Sequence, residues 1–169
     1  MKKLLVATCA LLLGVSAYAQ GTVSVSNAGA FGTAPVLSDD GATPANTDTA
    51  IEVWAGPDAG SLVLQAQGNI VANGLFAFGT VALSNVAPGD TATVVIRAYD
   101  TTSGGSYDTA LTRGESASFT AATGGVGSPA SPPGDFANMQ SFQMTTVPEP
   151  SVIMLGLAGA GLLWFRRKK

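Results

Sequence analysis

The alternation of apolar and polar residues is clearest from Thr91 to Tyr99, where Ala92, Val94, Ile96 and Ala98 fall on one side and Thr93, Val95, Arg97 and Tyr99 on the other. A period of two is the signature of a half-buried β-strand. Weaker versions, rich in Val, Thr, Phe and Ile, predict strands over Thr22–Ser26, Ala50–Trp54, Leu62–Gln67, Leu75–Leu83, Ser116–Ala121 and Met139–Val147. Turn-forming stretches separate them: Gly56-Pro57-Asp58-Ala59-Gly60, Asn73-Gly74 and Pro88-Gly89-Asp90. No amphipathic helix interrupts this rhythm, and about six to eight short strands at such spacing predict an all-β chain, an antiparallel β-sandwich of immunoglobulin-like or jelly-roll-like architecture. Trp54, Phe76, Phe78, Ile96, Tyr99 and Phe119 are its expected large core residues.

Two stretches break the pattern. Asn27 to Thr49 and Ala121 to Gly134 are rich in Gly, Ala, Thr, Ser and Pro and read as loops. The strand pattern that resumes at Met139 makes the second a long loop inside one domain rather than a linker to another.

Both ends of the chain differ in kind from this middle. Met1-Lys2-Lys3, the apolar run Leu4 to Val15 and Ala17-Tyr18-Ala19 before Gln20 have the charge, length and small-residue spacing of a secretory signal peptide, with cleavage at Ala19 and Gln20. Cys9 lies inside that run; Thr8 before it and the short preceding segment argue against lipid attachment. At the other end Val147-Pro148-Glu149-Pro150 precedes an uncharged run from Val152 to Phe165, and Arg166-Arg167-Lys168-Lys169 closes the chain. As a helix those 14 residues reach about 21 Å, short of a hydrocarbon core of roughly 30 Å. The four terminal cations oppose translocation by on the order of 10 kcal/mol in total on insertion scales, so they act as a stop with the basic end in the cytoplasm. Trp164 and Phe165 suit the membrane interface, and Gly156, Gly159, Ala160 and Gly161 offer a small-residue face to another helix.

In this order, the Pro-Glu-Pro motif, the apolar span and the basic cluster resemble a PEP-CTERM sorting signal. The resemblance implies processing by an exosortase-type membrane enzyme and transient residence in the inner membrane, then release to the cell surface or exterior of a Gram-negative bacterium that makes exopolysaccharide. The expected organisation is a signal peptide over 1–19, a secreted β-sandwich domain over 20–146 and the sorting signal with its short transmembrane helix over 147–169. Within the domain, Ser106-Tyr107-Asp108 with Ala110, Gly114-Glu115-Ser116 leading to Phe119, Ser131-Pro132-Pro133 and Gln140-Ser141-Phe142 are similar to a pattern in other secreted proteins with this tail. That pattern assigns no catalytic residue.

Charge sharpens the picture. Six of the eight basic residues lie in the two end segments, so between Gln20 and Pro150 only Arg97 and Arg113 face eleven acids, a side-chain charge of −9. Such a surface disfavours nucleic acid and anionic membranes. The same stretch holds no Cys and no His, which removes disulfides, thiol nucleophiles, imidazole bases and Cys/His metal sites. The expectation is a non-enzymatic protein without a cofactor, associated with exopolysaccharide as the resemblance implies.

Three constellations carry the competing readings. Asp39-Asp40-Gly41 with Asn46 and Asp48 offers oxygen ligands for Ca²⁺, although the spacing is not that of an EF-hand, and ordinary turn chemistry explains it equally. Asp100, Asp108 and Glu115 flank Gly104-Gly105 as carboxylates for a hydrolase, with Tyr99 and Tyr107 the only other acid–base groups nearby. Trp54, Tyr99 and Tyr107 are the residues for a sugar-stacking platform in a carbohydrate-binding module, if they are not core. Gly124-Gly125-Val126-Gly127 lacks the Lys, the hydroxyl and the following helix of a phosphate loop.

Overall fold

A computed structural model describes residues 20–29, 32–125, 131–148 and 155–156. Twelve strands run along them: β1 (Gly21–Ser26), β2 (Ala28–Gly29), β3 (Gly32–Thr33), β4 (Val36–Leu37), β5 (Thr49–Gly56), β6 (Val63–Asn69), β7 (Ala77–Leu83), β8 (Thr91–Asp100), β9 (Thr112–Glu115), β10 (Phe119–Ala122), β11 (Phe142–Gln143) and β12 (Thr145–Thr146). The protein is mostly β, with antiparallel sheets.

β8 is the centre, as its alternation predicts. Ala92, Val94, Ile96 and Ala98 are all fully buried, and each large aliphatic side chain so buried contributes roughly 1.5–3 kcal/mol. β5 pairs antiparallel along one side of β8, setting Val53 against Ile96 and Glu52 against Arg97. β9 and β10 share its other side. β6 and β12 complete a six-stranded sheet in the order β12-β9-β8-β5-β6, with β10 also on β8. A second layer is built on β1, whose Val23 and Val25 point inward beside Leu83 of β7. The opposite side of β1 exchanges hydrogen bonds with Gly124, both at 2.8 Å, and Ser24 N–H donates to the Gly134 carbonyl. One core joins the layers, from Val23 to Met144 in sequence, and includes Ile51, Val94, Phe76 and Phe119. Phe119 meets Phe136 edge to face at 5.1 Å, so the chain beyond the second Gly-rich stretch returns to the same core.

The stretch from Asn27 to Thr49 is not the plain loop its composition predicts. It contains β2, β3 and β4, and it buries Val36 and Ala45. Asn27 organises it. Buried to 3% exposure, its Nδ2 donates to the Ala34 and Gly74 carbonyls at 3.0 and 2.9 Å, and its Oδ1 accepts the Phe76 N–H at 2.7 Å. The expected Asn73-Gly74 turn lies against this hub, with φ of 50° and 72° at the two residues, the left-handed pair that a two-residue hairpin requires. The expected last strand is split in two. β11 runs parallel to β4, pairing Phe142 with Val36, whereas β12 turns to β9.

Phe76, Ile96 and Phe119 are core residues as expected, and Phe78 packs against them half-buried. Trp54 is not. With Glu52 it lies on the outer face of the large sheet, half-buried, and Tyr99 belongs to a separate small cluster with Ala50 and Ala110. The expected signal helix over 1–19 lies outside the described residues. So does the tail helix, except for Leu155 and Gly156, which are helical. Among the described residues no helix is long and apolar enough to cross a membrane.

Candidate functional site

The point where the chain leaves the sheet is the first candidate. β12 pairs Thr145 with Arg113 and Thr146 with Thr112, and the Thr112 and Thr146 hydroxyls lie 3.1 Å apart. Among the described residues Val147 makes the last bond to the sheet, its N–H donating to the Leu111 carbonyl at 2.6 Å. Val147 and Pro148 are both exposed. Glu149, Pro150 and Arg166 to Lys169 lie outside the described residues. At the other end Gln20 is exposed immediately before β1, and Ala17 and Ala19 lie outside.

The second candidate is the outer face of the large sheet, where the domain's two cations meet its aromatic residues. The period of two puts Arg97 on the same face as Trp54, and the β8–β9 register puts it opposite Glu115. Its guanidinium lies 4.8 Å from the Trp54 ring centre and 5.0 Å from that of Tyr107. Its Nε donates to Glu115 Oε2 at 2.7 Å. Trp54 Nε1–H donates to Glu52 Oε2 at 2.9 Å, so both glutamates of this face are held by its own donors. Arg113 stands 5.4 Å from the Tyr107 ring, and its Nη1 donates to the Tyr107 and Asp108 carbonyls at 2.7 and 2.6 Å. Burial pushes the Tyr107 hydroxyl above its ordinary pKa, with Glu115 adding to the effect and the two arginines opposing it. Gln67 Nε2 donates to the Tyr99 hydroxyl at 3.0 Å.

Of the proposed sugar platform, Trp54 and Tyr107 are thus brought to one face and Tyr99 is buried. Arg97 lies over both of these half-buried rings, where a sugar would stack. The arrangement fastens the 101–111 loop to the sheet. Sequence reasoning did not single out Arg97, Arg113 and Glu52 as members of this cluster. The available signal was that the only two cations of the domain fall in register with its outward-facing aromatic residues.

The acidic loop is a closed turn. Asp40 Oδ1 accepts the Ala42 and Thr43 N–H groups at 2.9 and 2.8 Å and the Ser38 hydroxyl at 2.9 Å, while Oδ2 accepts the Thr43 hydroxyl at 2.5 Å. These bonds, those from Thr43 foremost, hold its carboxyl well below the usual carboxylate range. Asp39 accepts the Thr146 hydroxyl at 3.1 Å, and Asn46 Oδ1 accepts the Asp48 N–H at the same distance. Among the described residues no group of three or more His, Cys, Asp or Glu is placed to hold a metal ion. Nor do the three candidate hydrolase acids converge through shared hydrogen bonds. Glu115 is paired with Arg97, and Asp100 Oδ1 accepts the Thr102 N–H and hydroxyl at 2.8 and 2.7 Å. A groove of about 420 Å³ beside β1 is lined by Asn27, Met139 and one carboxylate, Asp135. Asp135 Oδ1 accepts the Ala137 N–H.

No protein-family model, curated protein or solved structure matches the chain.

Proposed function

We propose that the chain is an exported, non-enzymatic protein of the cell surface or extracellular matrix. Its tail acts as a sorting signal removed by an exosortase-type membrane enzyme, and its secreted part associates with exopolysaccharide. The observation that carries this reading is the order of Pro148-Glu149-Pro150, the uncharged run Val152 to Phe165 and Arg166 to Lys169. Proline fixes φ and carries no amide donor, so Pro148 and Pro150 disfavour both helix and sheet pairing across the motif, which suits recognition of an extended segment by an enzyme. Glu149 supplies the charge of the motif. The limits of the folded part support the reading: β1 begins one residue after Gln20 and the last sheet bond among the described residues is made by Val147. Both processing points therefore border the domain without cutting into its core. The two layers with their shared core fit a β-sandwich of immunoglobulin-like or jelly-roll-like type, a fold that closes without disulfides at this length.

Replacing Pro148, Glu149 and Pro150 by alanine in the native host tests the reading. The variant is expected in the inner-membrane fraction with its tail attached, while the wild-type protein is expected at the surface or outside the cell. Identical fractionation of both would remove the role assigned to the motif.

A further inference from the structure

The side of the molecule formed by β6 and β7 differs from the rest. From Ala59 to Gly89 the chain runs 31 residues without a charged side chain, in a domain whose other segments carry ten acids. Val63, Leu64 and Val71, three of the five large apolar residues exposed among the described residues, lie in this stretch. β7 forms one border of the smaller layer. Among the described residues it pairs with β1 alone, and its other edge has no backbone partner. A bulge at Phe78 interrupts the register, after which Gly79 to Leu83 runs regularly against Val25 to Gly21. That regular run contains no proline, lysine or other charge, the usual guards of an open edge. Gln65 ties β6 to the end of β7: its Oε1 accepts the Ser84 N–H and its Nε2 donates to Asn85 Oδ1, both at 3.0 Å. This tie brings the exposed Val63 and Leu64 to the same end.

We propose that β7 pairs antiparallel with β7 of a second copy of the chain about a two-fold axis, joining the smaller layers of two molecules into one continuous sheet. A second copy is the fitting occupant for an electrostatic reason. Two domains of side-chain charge −8 repel, and contact through their acidic surfaces sets carboxylate against carboxylate. The β6–β7 side lets two copies approach with no charge between them. A two-fold contact is also self-complementary, so an axis through Val81 sets Thr80 against the second copy's Ala82 and gives the unpaired N–H and C=O groups of both edges partners at once. The exposed Val63 and Leu64 flank this contact and add apolar area at its rim.

Sedimentation velocity on the full-length chain in detergent tests the proposal. The wild-type chain is expected to pass from monomer to dimer as concentration rises. Thr80→Lys with Ala82→Lys, both exposed positions of β7, is expected to stay monomeric, because four like charges then meet at the axis. Ser118→Lys with Thr120→Lys makes the same charge change at exposed positions beside and within β10 and is expected to keep the dimer. A wild-type monomer at every concentration, or a dimer that survives the β7 lysines, overturns the proposal, and so does a dimer lost equally in the β10 control. Hydrogen exchange on wild type removes any dependence on the variants folding. The amides of Thr80 and Ala82, which face the open edge, are expected to gain protection with concentration, and unchanged protection would also overturn the pairing.

Discussion

The Arg97 guanidinium lies 4.8 Å from the centre of the Trp54 ring, held between that indole and Tyr107 while its Nε bonds Glu115. One cation thereby links β5, β8, β9 and the loop after β8. Its ion pair is exposed, with about a third of the arginine side chain accessible, and such pairs contribute roughly 0–1 kcal/mol. The ring contacts contribute about 0.5–1 kcal/mol each at such sites. Arg97→Ala is therefore expected to cost about 1–2 kcal/mol. A double-mutant cycle with Trp54→Ala should retain its coupling in concentrated salt, whereas the cycle with Glu115→Ala should lose most of its coupling there. Coupling that screens equally in both cycles would show that the stack contributes nothing beyond charge.

Asn27 makes a sharper prediction. Removing its amide with Asn27→Ala strands the Phe76 N–H and the Ala34 carbonyl, at about 1–3 kcal/mol for each buried group left unpaired, while the Gly74 carbonyl keeps the Val36 N–H at 2.9 Å. A loss of about 2 kcal/mol or more in chemical denaturation is expected. Asn27→Asp should be no milder despite its near-identical shape, because it replaces two donors with an acceptor facing two carbonyls. An aspartate variant of wild-type stability would contradict the hydrogen-bond assignment.

The raised pKa of Tyr107 sets the behaviour in alkali. A tyrosine ionises near pH 10 when unfolded, and the folded protein holds this one neutral to higher pH. Above the unfolded pKa the denatured chain has lost the proton while the native one retains it. The stability linked to this group is therefore full below about pH 10 and is lost as pH rises through the folded value. Thermal melts should fall through this range in wild type and fall less steeply in Tyr107→Phe. Equal slopes would assign the alkaline loss elsewhere.

Calcium should change the melting temperature little, because Asp40 already spends both carboxylate oxygens on the Ser38–Thr43 turn. A rise of more than about 5 °C in millimolar Ca²⁺ would require a site that binds the native state selectively.

How much of this was legible in the sequence depends on the range of the interaction. The two faces of β8 and the Asn73-Gly74 turn follow from local alternation and turn chemistry, and the structure has both. The outward position of Trp54 was also available, since Glu52 two residues earlier marks that face as polar; treating a tryptophan as core by its size obscured it. The order within Asn27–Thr49 was not available. It depends on side chain to backbone bonds from Asn27 and Asp40, which leave no hydrophobic period. Nor was the split of the last strand, because β11 pairs with β4 more than a hundred residues away in sequence. Arg97 over Trp54 and Tyr107 required the register of two strand pairs and the path of a loop together.

The tail is the centre of the functional account, and its fate is a matter of mass. As a membrane-spanning helix, a run of 14 residues would fall about 9 Å short of a 30 Å core, a mismatch that would make it a poor permanent anchor. Intact-mass spectrometry of the protein recovered from the surface of its native host measures the outcome directly. The expected mass begins at Gln20 and lacks Val152 to Lys169. A surface-exposed pool that retains Arg166 to Lys169 would contradict the sorting-signal reading and leave the tail as a plain membrane anchor.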